Sequence, residues 1–202
     1  MNRKVIIIVI ALIAMLFTTT AFAQSSQTIT LKSGFNFTSF TANISITPQQ
    51  FASLNTAIDD IYLYSAAAGS FLSYKEGTLT ALSAGKGYIV KSSAGADITV
   101  TVSGTALSTI GNITLKNGFN LIGFSKVPSV KFSFSQIMTS YSVVKGIYKW
   151  SAAAGSFISV VKDSSGTPVQ MDGVDPEFKA SESYFFNVTA DTTINYDGTS
   201  IV

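Results

Sequence analysis

Apolar and polar residues alternate along much of the chain. Ile98, Val100 and Val102 alternate with threonine, and Ile29 and Leu31 flank Thr30. This is the period-two pattern of strands that bury one face. The first strand predicts a turn at Gly34 and a continuation from Phe35 to Phe40. Thr47-Pro48 then marks a helix start, a capping residue followed by proline at the first helical position. Phe51, Leu54 and Ile58 give that short helix an apolar stripe. A hairpin follows, from Ile61-Tyr62-Leu63-Tyr64 through Ser65-Ala66-Ala67-Ala68-Gly69-Ser70 and back along Phe71 to Tyr74. Gly69 supplies the positive φ such a loop requires. Gly87-Tyr88-Ile89-Val90 and the strand at residues 98–102 close the series.

The same series is then written a second time. Ile29-Thr30-Leu31-Lys32-Ser33-Gly34-Phe35-Asn36 matches Ile113-Thr114-Leu115-Lys116-Asn117-Gly118-Phe119-Asn120 at seven of eight positions, 84 residues on. Ile61 to Ser73 matches Ile147 to Ser159 at ten of thirteen, 86 residues on, with Gly155 in the place of Gly69. Gly87-Tyr88-Ile89-Val90 answers Ser183-Tyr184-Phe185-Phe186 at a spacing of 96. The helix of the second copy falls between Ser133 and Tyr141, with Phe134, Ile137 and Met138 as its apolar face. A repeat of this length predicts two tandem homologous units. The expected fold is mainly β: two sandwich-like units over residues 24–110 and 111–202, each with about six short strands and one short helix. The second unit carries an insertion near residues 162–180.

Residues 1–23 read as a secretory signal peptide. Met1-Asn2-Arg3-Lys4 is a basic start, residues 5–17 are thirteen apolar residues in succession, and Ala21-Phe22-Ala23 is a cleavage site. The apolar run is shorter than the roughly 20 residues that span a bilayer, so no membrane span is expected after cleavage. Removal of Arg3 and Lys4 takes the basic residues from 13 to 11, equal to the 11 acidic ones. A chain of zero formal charge lacks the positive excess that nucleic acid requires. It also has weak colloidal repulsion, which suits assembly with other proteins or binding to neutral polymers. The expected location is secreted: extracellular, cell-surface or periplasmic.

The chain has no cysteine and no histidine. Disulfide frameworks, thiol nucleophiles, histidine-ligated metals and Ser-His-Asp triads are therefore excluded. Gly85-Lys86-Gly87 resembles a fragment of a phosphate loop, but Thr80 stands where the first glycine belongs and the magnesium-binding hydroxyl is missing. Asp172, Asp175 and Glu177 lie within six residues of the insertion, a weak candidate for Ca²⁺, which prefers oxygen ligands in flexible loops. Asp59 and Asp60 have Lys145 and Gly146 at the corresponding positions, so that pair is outside the shared design. Nothing selects two carboxylates as a catalytic pair, and no enzyme activity is expected. The Asn-x-Ser/Thr sequons at Asn36, Asn43, Asn112 and Asn187 are accidents of a Ser/Thr-rich chain.

The aromatic pairs Tyr62 and Tyr64, and Tyr148 and Trp150, share one face of their strands. The position between them changes from Leu63 to Lys149, which predicts that this alternate position is exposed and that the pairs face the core. The competing reading is a sugar-stacking platform. Gly34-Phe35-Asn36 and Gly118-Phe119-Asn120 read as a turn glycine, a core aromatic and a turn-capping amide. The last residues, Thr193-Ile194-Asn195-Tyr196 and Gly198 to Val202, form a low-charge strand that pairs at home or offers an edge to another chain.

Leu-Lys-x-Gly-Phe-Asn at the head of each unit, the Tyr/Trp hairpin, and Gly85-Lys86-Gly87-Tyr88 near the close of the first resemble the Gly-aromatic-Asn (GWN/GYW-like) tandem repeats of bacterial secreted and cell-surface proteins. In that group the aromatic is usually tryptophan; here it is Phe35 and Phe119. The resemblance implies an extracellular, β-rich accessory module and brings no catalytic residues. The function expected is structural, adhesive or matrix-associated, with self-association through strand edges. The alternative is a glycan-binding module that uses Tyr62, Tyr64, Tyr148 and Trp150.

Overall fold

The computed structural model describes residues 24–107, 112–126 and 132–195. The leader expected over residues 1–23 and the strand expected from Gly198 to Val202 lie outside them. The described chain is mainly β, built from antiparallel sheets with two short helices. In the N-terminal half, β1 (Gln24–Leu31), β7 (Ile98–Ala106) and β3 (Ala42–Ile44) form one sheet in the order β1-β7-β3. A second sheet has the order β2-β6-β4-β5, from β2 (Gly34–Ser39), β4 (Ile58–Ser65), β5 (Ser70–Ser73) and β6 (Gly87–Ser92). In the C-terminal half, β8 (Ile113–Leu115) pairs with β14 (Thr192–Ile194). The larger sheet there runs β12-β11-β10-β13-β9, from β9 (Gly118–Gly123), β10 (Val144–Ser151), β11 (Ser156–Lys162), β12 (Pro168–Gln170) and β13 (Ser183–Val188).

Two separate apolar clusters hold these sheets. One joins Ile29, Leu31, Val100 and Val102 of the three-stranded sheet to Ile61, Tyr88 and Val90 of its neighbour, with Phe40 and Phe51 filling the end. The other joins Leu115 and Ile194 to Ile122, Ile147, Tyr184 and Phe186. Each fully buried side chain of this size contributes about 1.5–3 kcal/mol. In each half the apolar cluster lies between the sheets, and the alternation in the sequence marks their inner faces. The insertion adds more than a loop. Phe178 leaves it to pack among Phe124, Phe134 and Tyr184, with ring centroids 4.7–5.0 Å apart.

Helix α1 (Pro48–Ala52) starts as its sequence directs: the Thr47 side chain accepts from the Gln50 N–H, and Gln50 reaches back to the Thr47 N–H. It is shorter than the stripe Phe51, Leu54, Ile58 implies. The Asn55 side chain accepts from the Ala57 N–H and turns the chain, so Leu54 stays 45% exposed and Ile58 opens β4. Helix α2 (Phe134–Ser140) buries Phe134, Ile137 and Met138 as expected. Strand β3 has too short a pattern to foresee; it is admitted by Gly104, where a Cβ would stand 2.3 Å from the Asn43 carbonyl oxygen.

The halves meet by two isolated antiparallel bridges, Thr38 to Glu182 and Lys86 to Ile122. In the register of the sequence repeat, Thr38 corresponds to Ile122 and Glu182 to Lys86. The two bridges are thus one contact made twice with the halves exchanged, an approximate twofold relation. At its centre the Ser39 N–H donates to the Ser181 carbonyl at 2.8 Å and Ser39 Oγ donates to the Phe124 carbonyl at 3.1 Å. Gly123 makes the approach feasible, because a Cβ there would lie 2.2 Å from that of Ser39.

Candidate functional site

Strand register places one set of aromatic residues on the face of each larger sheet that points away from its core. In the N-terminal half Phe37 pairs with Ile89, Ile89 with Tyr62, and Tyr64 with Phe71. In the C-terminal half Tyr148 pairs with Phe185 and Trp150 with Phe157, and Phe119 leans on Tyr148. These two faces come together. Phe37 stacks on Trp150 with centroids 5.8 Å apart, and Phe185 makes T-shaped contacts with Phe37, Tyr64 and Phe71. The Trp150 indole N–H donates to the Phe35 carbonyl at 2.7 Å. Between the faces lies a groove of about 420 Å³ whose walls include Phe35, Tyr62, Phe71 and Phe157.

The sequence pairs Tyr62 and Tyr64, Tyr148 and Trp150 are therefore brought into one aromatic surface, but they face outward rather than into the cores. The Leu63/Lys149 exchange misleads for a physical reason. Both positions lie on the inner side at the end of the sheet, where Leu63 packs against the core. Lys149 instead sends its ammonium to Glu182 at 2.7 Å. A long aliphatic stem with a charged tip suits such a margin. The Gly-Phe-Asn motifs need the same correction. Gly34 and Gly118 do take positive φ, and Asn36 and Asn120 each accept from the Lys32 or Lys116 N–H at 2.8 Å. Phe35 and Phe119, expected in the core, are 44% and 45% exposed and belong to the aromatic face.

The carboxylates singled out in the sequence lie apart from the aromatic surface's groove. Asp172 accepts from the Ser159 N–H at 3.1 Å. Asp175 accepts from the Ser135 N–H and hydroxyl in the first turn of α2, where a negative charge is favoured. Glu177 bridges through its backbone to Ser133. The weak Ca²⁺ candidate is thus not assembled: among the described residues no group of three or more acidic side chains is placed to hold a metal. Asp59 accepts from Ser93 Oγ. Asp60 is buried and receives the Ser73 hydroxyl at 2.7 Å, the Ile61 N–H at 2.7 Å and the Lys75 N–H at 3.1 Å. Burial raises its pKa, but the hydrogen bonds led by Ser73 outweigh it and hold the carboxyl below its ordinary value.

Sequence reasoning missed one polar cluster, Lys149–Glu182–Tyr184. The Tyr184 hydroxyl donates to Glu182 at 2.6 Å and accepts from the Lys179 N–H at 2.8 Å. Burial and the adjacent carboxylate push this phenol's pKa up. The signal available was the change from Gly-Lys-Gly-Tyr to Glu182-Ser183-Tyr184. The edge expected at the C-terminus is partly accounted for, since β14 pairs with β8; residues from Tyr196 onward lie outside the described chain. Among the described residues no helix is long and apolar enough to cross a membrane. Comparison with protein-family models, with curated proteins and with solved structures finds no match.

Proposed function

We propose that the chain is an exported, non-catalytic adhesive or structural component that associates with further copies of itself, and that the aromatic surface shared by its two halves is where it does so. The observation that carries this reading is the exposure of Phe35, Phe71, Phe119 and Phe157, each 39–47% exposed, around a groove walled by hydrocarbon. A contiguous apolar patch of this kind marks an interaction surface. The even balance of charge once the leader is removed leaves little repulsion between copies. The same aromatic face on a second copy would give an isologous contact, in which each chain offers the other the same patch. Of the carboxylates singled out in the sequence, Asp60 anchors a turn and Asp175 the start of α2, roles that suit a protein without catalysis. Export and a bacterial cell-surface setting rest on the leader and on the Gly-aromatic-Asn resemblance.

Light scattering behind a sizing column over a hundredfold range of concentration tests the proposal. Growth of the particle with concentration, reduced by Phe71→Ser together with Phe157→Ser, is the expected result. A monomer throughout overturns it. The second reading, a glycan platform, is favoured by Tyr62 and Tyr148, which keep partly exposed rings on this face. It loses Trp150 as its best residue, because that ring is stacked and its N–H is spent. Polysaccharide pull-down abolished by Tyr62→Ala with Tyr148→Ala, from a protein that stays monomeric, is the result that selects it.

A further inference from the structure

The insertion carries the aromatic face of the C-terminal half further than that of its counterpart. Along β11, Phe157, Ser159 and Val161 stand opposite Trp150, Tyr148 and Gly146, so they lie on that face. Val169 of β12 pairs with Val161 and joins them. Met171 donates its N–H to the Ser159 carbonyl and stands opposite that residue, on the same side as Val169. The N-terminal half has no equivalent, since its sheet ends at β5. Val169 is 41% exposed and Met171 61%, the highest value for a large apolar side chain among the described residues.

Strand β12 offers these side chains rather than its edge. The Thr167 carbonyl accepts from the Asp163 N–H, and the Met171 N–H is also turned to β11, so residues 168 and 170 direct their backbone groups outward. Pro168 has no N–H to give, which blunts the edge against strand pairing. The chain has four methionines: Met1 and Met15 in the expected leader, Met138 and Met171. Met138 is fully buried on α2. Among the described residues, Met171 therefore carries the thioether that solvent reaches. A thioether is apolar and adaptable, and suits a surface that packs against another chain. Its sulfoxide is polar, and to bury it without a hydrogen-bond partner is costly.

We propose that Met171 is an oxidation site that governs how tightly copies of this chain associate. The association is the one proposed for the aromatic surface, and this inference rests on it: the second copy sits on that face and reaches over Val169 and Met171. Hydrogen peroxide is the oxidant. The sulfur lone pair attacks one peroxide oxygen, the O–O bond breaks and takes up the electron pair, and the S–O bond forms. The proton on the transferred oxygen passes to the departing hydroxide, which leaves as water. The polar product lies where the second copy brings apolar side chains, so oxidised chains associate less tightly. Chains already associated shield the sulfur. A sulfoxide reductase restores the thioether.

Peroxide treatment of the purified full chain, followed by peptide mass spectrometry and by light scattering over a range of concentration, tests the proposal. Met171 should take up oxygen about tenfold faster than Met138 or more, and more slowly as the protein is concentrated. Association of the oxidised chain should weaken about tenfold. Met171→Leu keeps an apolar side chain of similar size without the sulfur. It should associate as untreated wild type does, before peroxide and after, which sets aside oxidation in the leader. Met171→Gln should associate as weakly as oxidised wild type. Equal oxidation of Met138, or an equal loss of association by treated Met171→Leu, would overturn the proposal. A chain that is monomeric before any peroxide overturns the self-association reading and this inference with it. One that assembles equally well with and without the sulfoxide overturns this inference alone.

Discussion

At the foot of β4 the N-terminal half carries Asp60; at the corresponding place on β10 the C-terminal half carries Gly146. The ladders around them are alike, yet the chain beyond differs. Asp60 collects the Ser73 hydroxyl and the Lys75 N–H, and Ser73 in turn receives the Glu76 N–H. That network turns the chain away from the sheet, and β5 stops at Ser73. At Gly146 there is no such anchor, and the Tyr148 hydroxyl occupies the space, 2.8 Å from where a Cβ would stand. With nothing to divert it, β11 runs on to Lys162 and recruits β12 as a fifth strand. The lesson is that apolar alternation sets the shared frame, while single polar exchanges decide where each copy departs from it.

The largest test asks whether the two halves behave as one cooperative body. Phe51 is fully buried in the N-terminal cluster, so Phe51→Ala should cost about 4 kcal/mol. Trp150, the single tryptophan, belongs to the other half but stacks on Phe37 across the junction. Its fluorescence transition in urea should therefore move to lower denaturant in step with the far-ultraviolet dichroism. A tryptophan transition that stays in place while half the dichroism is lost would show that the halves unfold independently.

Asp60 comes next. Asp60→Asn should destabilise the chain by about 2 kcal/mol, because donors that met a carboxylate then meet a neutral amide. The folded pKa lies below the unfolded value, so this stabilisation is present above the unfolded pKa and is lost as pH falls through the folded one. Wild type should therefore lose stability on acidification below about pH 4 more steeply than Asp60→Asn. Parallel curves from urea midpoints at successive pH values would remove Asp60 as the source of the difference between the halves.

A smaller effect is expected at Glu182, which has no carboxylate counterpart in the N-terminal half. Glu182→Gln breaks a partly buried ion pair and the acceptor of the Tyr184 hydroxyl, a loss of about 1 kcal/mol. Tyr184 titrates above its unfolded value, so its contribution is full below about pH 10 and is lost at higher pH. Tyr88, its counterpart, is raised by burial, with its hydroxyl held by Ser83 and no carboxylate beside it. Ultraviolet titration of tyrosinate should show one phenol ionising earlier in Glu182→Gln than in wild type. An unchanged titration would mean that burial alone sets the Tyr184 pKa.

How far the sequence foretold all this follows the same division. Ile29, Leu31, Val100 and Val102 alternate with exposed threonines, so their inward face was legible. Thr47-Pro48 and Gly69 carry local signals that need no partner to be read. Phe35, Tyr62 and Trp150 were misread because hydrophobicity alone does not say which of two apolar faces is the core. Each larger sheet here is apolar on both sides, one facing its own core and the other facing the second half. The contacts between the halves escape local reading for a related reason. The Thr38–Glu182 and Lys86–Ile122 bridges are properties of an arrangement, and no local pattern records them.

The smallest effects belong to two surface ion pairs that occupy matching places. Lys32 pairs with Asp97 at 2.8 Å and Lys116 with Asp191 at 2.7 Å, all with exposed side chains. Exposed pairs contribute little and are screened by salt. The two are not equal, however, because Asp191 also accepts from the Asn117 N–H at 2.8 Å and so fixes the turn before Gly118. Hydrogen bonds led by the Lys116 ammonium hold its carboxyl below the ordinary range. Asp191→Asn should therefore lower the melting temperature slightly and in a salt-sensitive way. Asp97→Asn should change it less, and its effect should vanish at high ionic strength. Equal shifts in thermal melts at low salt would mean that the backbone contact adds nothing, and that at the surface, unlike at Asp60, the two copies remain interchangeable.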